Sequence, residues 1–280
     1  MAGEEQLMAR LADRTAPRAE RRSGSGPAGR PVGEKVTYLG KYFEILNSQL
    51  KKGATFWFRG HASIEWDLTP SALRYDTVDK RNRAIGLLAD FKRYAEMKLE
   101  RPPRADEELE WVQLARHYGL PTRLLDWTRN AGAALYFACC ERPNEDGVVY
   151  GLNPTELNRR VDPKTPRVLD PNTDKERIEI YLGLPGKINR KGFHTVAINP
   201  TWNSPRIVVQ QGVFTLSGSR YFTLTSREAS SLVHVRIMKE YKGALLDELE
   251  RVGVNEMALF PELEHTCNYL RKSEKLDEGS

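Results

Sequence analysis

The polar and aromatic side chains of this protein crowd most densely into "WVQLARHYGLPTRLLDWT", residues 111 to 128. Gln113, Arg116, His117, Tyr118, Thr122, Arg123, Asp126, Trp127 and Thr128 all fall within it. An imidazole can exchange a proton near neutrality, and a phenol beside it can hydrogen-bond or stack. The turn Gly119-Leu120-Pro121 would put both to use if it presented His117 and Tyr118 to a cleft. A structural reading fits the same residues: His117 complements the dipole at a helix C-terminus, while Arg123 and Asp126 pair beside the Trp127 indole. Residue types alone leave the two readings level.

A second candidate lies in "TFWFRGH", residues 55 to 61, where Arg59 follows an apolar run and precedes Gly60. A guanidinium fork suits two oxygens of a phosphate or carboxylate at once, and Gly60 would let a ligand approach the backbone. The structural alternative is an ion pair with Glu65 or Asp67, both near in sequence. His61 is expected to face solvent. His194, His234 and His265 are dispersed and lack metal-site spacing, so no metal is expected. Neither a glycine-rich phosphate loop of the GxGxxG or GxxxxGK[ST] kind nor a GxSxG elbow occurs.

The elements that must position these groups can be read from periodicity. Leu39, Phe43, Leu46 and Leu50 recur at helical spacing and predict a helix ending at Lys52-Gly53. Phe56, Trp57 and Phe58 then predict a strand closed by Arg59-Gly60. A long helix is expected over 79–99, with Leu87, Leu88, Phe91, Tyr94 and Ala95 on one face, and another over 105–118. Leu124, Leu125 and Trp127 suit a strand, with Thr128 capping the following small-residue helix, whose Ala131, Gly132, Ala133 and Ala134 allow close approach to a sheet. Further strands are expected in "GVVYGLN", "HTVAIN", "PRIVVQQGVFTLS" and "SLVHVRI", and closing helices over 239–251 and 256–271. Strands scattered among unequal helices point to α+β, with mixed or antiparallel central sheets and flanking helices.

Composition sets the outer bounds. A chain of 280 residues with 40% hydrophobic residues can bury a large core. Its +5 net charge is a modest surplus and leaves a nucleic-acid partner open. Residues 1–35 are rich in Arg, Ala, Gly, Ser and Pro and are expected to be a disordered basic tail, as are 273–280 at the other end. Cys139, Cys140 and Cys267 lack zinc spacing, and the adjacent pair would need a strained bridge, which fits a reduced, cytoplasmic setting. No apolar run is long enough to span a membrane.

Four segments in order, "FRGH" at 58–61, "LARHYGLPTRLLDWTRNAGAALYFA" at 114–138, "VQQGVFTLSG" at 209–218 and "GVNEMALFPELE" at 253–264, resemble the bacterial FRG domain. The resemblance spans about residues 36–272. A more remote one is to ADP-ribosyltransferases of the arginine-serine-glutamate type. These begin with an aromatic-Arg-Gly strand end, continue with a strand leading into a small-residue helix, and finish with a glutamate-bearing strand. It implies an NAD-binding core in which Arg59, with Gly60, meets the pyrophosphate and Thr128 supports the nicotinamide ribose. Tyr118 or Trp127 would stack near the nicotinamide, and Asp126 and Arg123 would complete the binding surface. It also implies a bacterial toxin or phage-defence effector that modifies nucleic acid or protein.

The third element departs from that pattern, because "RIVVQQGVFTL" holds Gln210 and Gln211 where a carboxylate is wanted. Gln211 can hydrogen-bond a ribose hydroxyl but cannot neutralise a cation. Glu256 is the substitute, although Asn255 before it reads as an N-cap and Glu256 as a first-turn acid. Two rival readings follow: a metal-independent nuclease or phosphotransfer enzyme with His117 as base and Arg59, Arg116 and Arg123 on phosphate, or a non-catalytic nucleotide-recognition module.

Overall fold

The computed structural model describes residues 35–182, 194–202, 204–218, 223–224 and 232–274. The expected tails lie outside the described residues, except for Lys35, Ser273 and Glu274. Six strands are described: β1 (Trp57–His61), β2 (Leu124–Thr128), β3 (Gly147–Leu152), β4 (Val196–Ile198), β5 (Gly212–Leu216) and β6 (Val233–Ile237). They form one antiparallel sheet in the order β4-β5-β2-β1-β3-β6. The protein is thus α+β. Pairing is uneven across the sheet: β1 matches β3 over five residue pairs and β2 matches β5 over five, whereas β1 and β2 meet at one, Phe58 with Thr128. A seam therefore runs between two three-stranded halves.

Ten α-helices flank the sheet among the described residues. They are α1 (Leu39–Gln49), α2 (Val78–Glu96), α3 (Glu108–His117), α4 (Ala131–Cys139), α5 (Pro154–Asn158), α6 (Lys175–Leu182), α7 (Pro205–Val209), α8 (Lys242–Arg251), α9 (Glu256–Leu259) and α10 (Leu263–Ser273). Strand alternation sorts the core into three clusters. Phe58, Val149, Val235 and Ile237 pack against Tyr42 and Leu46 of α1, Leu135 of α4 and Leu245 of α8. Leu124, Phe214 and Ile198 pack against Val112 of α3 and Tyr181 of α6. On the opposite face Trp57, Leu125, Trp127, Val148 and Leu152 are covered by Leu157 of α5 and by connecting segments through Leu68 and Leu224.

The small-residue helix comes as close as its composition allows. A Cβ on Gly60 would stand 1.9 Å from the Ala134 carbonyl oxygen and 2.7 Å from the Ala138 nitrogen. Gly60 is therefore a packing glycine, and the room beside it is taken by α4, not left for a ligand.

Several expectations need correction. β1 runs through Arg59 and Gly60 to His61 instead of stopping at the arginine. Helix α1 buries Tyr42 and Leu46 while Phe43 is exposed, and it ends at Gln49; Gly53 does take a left-handed φ of 74°, but in the turn beyond. In α2 the buried residues are Ala84 and Ala95, whereas Leu87 and Tyr94 face outward. "PRIVVQQGVFTLS" divides into α7 and β5, because Pro205 fits the first helical turn and so starts a helix through the β-branched run. The last expected helix breaks into α9 and α10 at Phe260-Pro261, where proline cannot continue the hydrogen-bonding of the preceding turn. Asn130 caps α4, its Oδ1 accepting from the Gly132 and Ala133 amides, so Thr128 does not.

Candidate functional site

Arg59 stands at the seam. Its Nη1 donates to the Asp126 backbone oxygen at 2.7 Å, a carbonyl that the sparse pairing of β1 with β2 leaves open, and lies 3.8 Å from Asp126 Oδ2. Its Nε donates to His61 Nε2 at 2.8 Å. Because Nε2 accepts, the His61 proton sits on Nδ1, which donates to the Trp66 carbonyl at 3.2 Å. His61 is 3% exposed, not solvated, and its ring meets Tyr150 edge to face at 5.4 Å. Burial first, then the Arg59 charge, hold the imidazole well below its usual range, so it is neutral. Burial likewise pulls Arg59 down to about 10, with Asp126 opposing the drop, and the guanidinium keeps its charge at neutral pH.

Asp126 is the carboxylate of the seam, and its partner is Arg116 from the last turn of α3. Arg116 Nε donates to Oδ1 at 2.5 Å and Nη2 to Oδ2, a two-pronged pair. Partial burial would raise Asp126, but Arg116, then Arg59 and Arg206, overcome it and hold the carboxyl at about 2. Arg74 adds a fourth guanidinium whose charge reaches Arg116 and Asp126, while its Nε is anchored on the Thr69 carbonyl at 2.9 Å. Arg59 and Arg116 thus touch the aspartate, and the charges of Arg74 and Arg206 reach it.

A second cluster borders this one. Arg206 of α7 lies over the Phe260 ring at 4.6 Å, and Phe260 stacks on His265 at 4.2 Å. His117, exposed at the end of α3, is close enough to Arg206 and Glu262 to feel both charges. Burial and Arg206 lower it below its usual range, against the opposing pull of Glu262. Tyr118 is 63% exposed and meets the His117 ring at 5.1 Å.

The other expected residues sit apart. Arg123 is buried and donates to the carbonyls of Ser217 and Tyr181, so it pairs with neither Asp126 nor solvent; burial lowers it to about 10. Trp127 lies in the core, its indole N–H donating to Thr215 Oγ1 at 3.0 Å, which removes it as a stacking platform. Thr128 is buried and donates to the Gln210 carbonyl at 2.6 Å. Gln211, exposed at the entry to β5, has a left-handed φ of 49°, and its carbonyl accepts from the Arg129 amide. Glu256 accepts from Lys272 at 2.8 Å and pairs with His265 at 3.0 Å, joining α9 to α10. Arg59 pairs with neither Glu65 nor Asp67.

Sequence reading missed His61, Arg74, Arg206 and Glu262. For His61 the signal was present, since alternation places residues 59 and 61 on one strand face; for the others only tertiary contact brings them in. A recess of ≈ 30 Å³ among Ile85, Leu88, Val112, Leu120, Leu182 and Leu216 has room for a water, not a nucleotide. No helix among the described residues is long and apolar enough to cross a membrane.

The family model of the FRG domain matches residues 54–147. No curated protein and no solved structure matches the chain. The matched stretch ends at the first residue of β3, so "VQQGVFTLSG" and "GVNEMALFPELE" lie beyond it. It includes Arg59, His61, Arg74, Arg116, His117 and Asp126, that is, the seam cluster apart from Arg206. Similarity to the FRG domain thus covers about a third of the chain, residues 54–147.

Proposed function

We propose that the arginine seam binds the phosphates of a nucleotide, and that the protein is an ADP-ribosyltransferase-like enzyme using NAD. The carrying observation is the gathering of guanidinium at the junction of β1 and β2, where, among the described residues, the charges of Arg59, Arg74, Arg116 and Arg206 converge on Asp126. Asp126 is already spanned by Arg116, which leaves uncompensated positive charge for a polyanion. Supporting it, the arginine strand, the strand entering the small-residue helix and the strand after Gln210-Gln211 are the three neighbours β1, β2 and β5. In this chemistry the bond from ribose C1′ to nicotinamide nitrogen breaks, its electron pair leaving with nicotinamide. A lone pair of water or of a nucleic-acid or protein acceptor then bonds C1′, and the acceptor's proton passes to neutral His117. Calorimetry with NAD tests the binding on the native chain, Arg59→Ala and Arg206→Ala. Native binding weakened in both variants is expected; no native binding, or equal binding in all three, removes the reading.

One observation favours a second reading. His117 is exposed, is held below its usual range, and lies near Arg206, an arrangement suited to a base beside a held phosphodiester. Labelled RNA and DNA incubated without NAD would be cut by the native chain and spared by His117→Ala if this reading holds.

A further inference from the structure

The end of α3 carries exposed aromatic groups that the seam does not use. Gln113 and His117 stand four residues apart on that helix and so share a face. Gln113 is buried, and its amide holds the segment leading into α7: it donates to Thr201 Oγ1 at 2.5 Å and accepts from the Thr201 backbone N–H at 3.2 Å. One turn further on, His117 feels the charge of Arg206, near the start of α7. Residues 201 and 206 are thus both held at α3, and Trp202 lies on the run between them, 59% exposed. Of the other four tryptophans, Trp57, Trp111 and Trp127 are buried and Trp66 is 40% exposed. Asn199, three residues before Trp202, accepts at Oδ1 from Arg129 Nη2 at 2.9 Å, so a guanidinium is fixed on each side of this tryptophan in the chain. At the end of α3 the exposed Tyr118 ring rests against His117 and lies 6.3 Å from that of Phe91 in α2.

We propose that this face binds single-stranded nucleic acid, with bases stacked on Trp202 and Tyr118 and phosphates on Arg206 and Arg129, and that such a strand is the acceptor at the seam. The acceptor role rests on the transferase reading above; the binding does not. An aromatic face in water is a platform that any unstacked base can use, and cations beside it meet the backbone between bases. A duplex keeps its base faces stacked inside and could offer this surface only phosphates. An acidic peptide would satisfy the arginines but leave both rings in water, so the aromatics decide between the two kinds of polyanion. Spacing agrees: from Gln113, beside Thr201, to Tyr118 the helix rises about 7.5 Å, a little over two phosphate steps of roughly 3.4 Å. His117 lies on the same stretch of α3, so a strand held by both rings passes the group that takes the acceptor's proton. Arg206 lies over the Phe260 ring, a contact that steadies the guanidinium without cancelling its charge.

The test is fluorescence anisotropy on the full chain with labelled oligo-dT, oligo-U, an oligo-dT·oligo-dA duplex and polyglutamate of equal charge. The native chain should hold a single strand more tightly than the duplex or polyglutamate, and the order of oligo-dT and oligo-U tells DNA from RNA. Trp202→Ala and Tyr118→Ala should each weaken single-strand binding about 5- to 150-fold, the range for one lost base stack, and Trp202→Phe should keep most of it. Because Trp202 is exposed, its variants should melt with the native chain and bind polyglutamate as it does. Stacked bases should also quench the native tryptophan fluorescence, and Trp202→Phe should lose that quench. Polyglutamate bound as tightly as the single strands, or oligonucleotide affinity unchanged in both alanine variants, overturns the proposal. Calorimetry with NAD separates this inference from the transferase reading. Ring-dependent strand binding in a chain that binds no NAD sustains the strand site and overturns the acceptor role, whereas NAD binding without strand binding overturns the strand site alone.

Discussion

Arg59 donates its Nε proton to Nε2 of His61 across 2.8 Å, and this contact decides the state of both groups. A protonated imidazole has no lone pair for the guanidinium and would repel it. Of the groups around His61, Arg59 and Arg74 oppose its protonation by charge, the Trp66 carbonyl takes its Nδ1 proton, and Tyr150 packs on its ring.

Acid should therefore loosen the seam. With the folded-state pKa of His61 depressed below about 6.5, the unfolded chain binds the extra proton first, and stability falls as pH drops below that value. The loss has a ceiling of about 1.4 kcal/mol per pH unit for one group. Urea unfolding at pH 7.0 and 5.5 should show a drop that His61→Gln reduces; an equal drop in both chains would place the acid sensitivity elsewhere.

Gly60→Ala should destabilise by about 3 kcal/mol or more, since the added methyl meets α4 backbone at 1.9 Å and neither element can yield cheaply. Gly86, in the middle of α2 with nothing within 4 Å of an added Cβ, is the control. Gly86→Ala should stabilise by about 0.5–1 kcal/mol. Thermal melts of the two variants should move in opposite directions.

Much of this fold was legible in sequence because local signals agreed with burial. The run Ala131 to Ala138 announced a helix that would lie close on a sheet, and Gly60 is where it does so. β2, β3, β4 and β6 followed from short apolar runs. What misled was local pattern without tertiary context: Ile207-Val208-Val209 looks like a strand, yet Pro205 starts a helix there. Arg123 is the expected partner of Asp126, yet Arg116 takes that place. Their difference arises because Arg123 precedes β2 and turns into the core toward Tyr181, while Arg116 ends α3 facing the carboxylate. The members contributed by distant segments, Arg206 and Glu262, had no periodic signature at all.

Gln211→Gly should separate backbone from chemistry. The left-handed φ of 49° strains a residue with a Cβ, so glycine should leave stability equal or raise it by about 0.5 kcal/mol once its looser unfolded state is counted. If the Gln211 side chain holds substrate, turnover falls while the melt does not.

Glu256→Ala should cost about 1 kcal/mol, through the lost ties to Lys272 and His265, and leave nucleotide affinity as it was. Chemical denaturation alongside calorimetry checks both parts. A collapse of affinity with an unchanged melt would return Glu256 to the site.

The single residue pair joining β1 to β2 makes the sheet two leaves on a spine one residue wide. Each leaf has its own keel of helices, α1, α4 and α8 under one and α3 and α6 under the other. Across such a spine, Arg59 of one leaf meets the Asp126 carbonyl and carboxylate of the other and is opposed by the charge of Arg116. An anion seated there would act as mortar, and the molecule would stiffen along the very line where its own backbone leaves it thinnest.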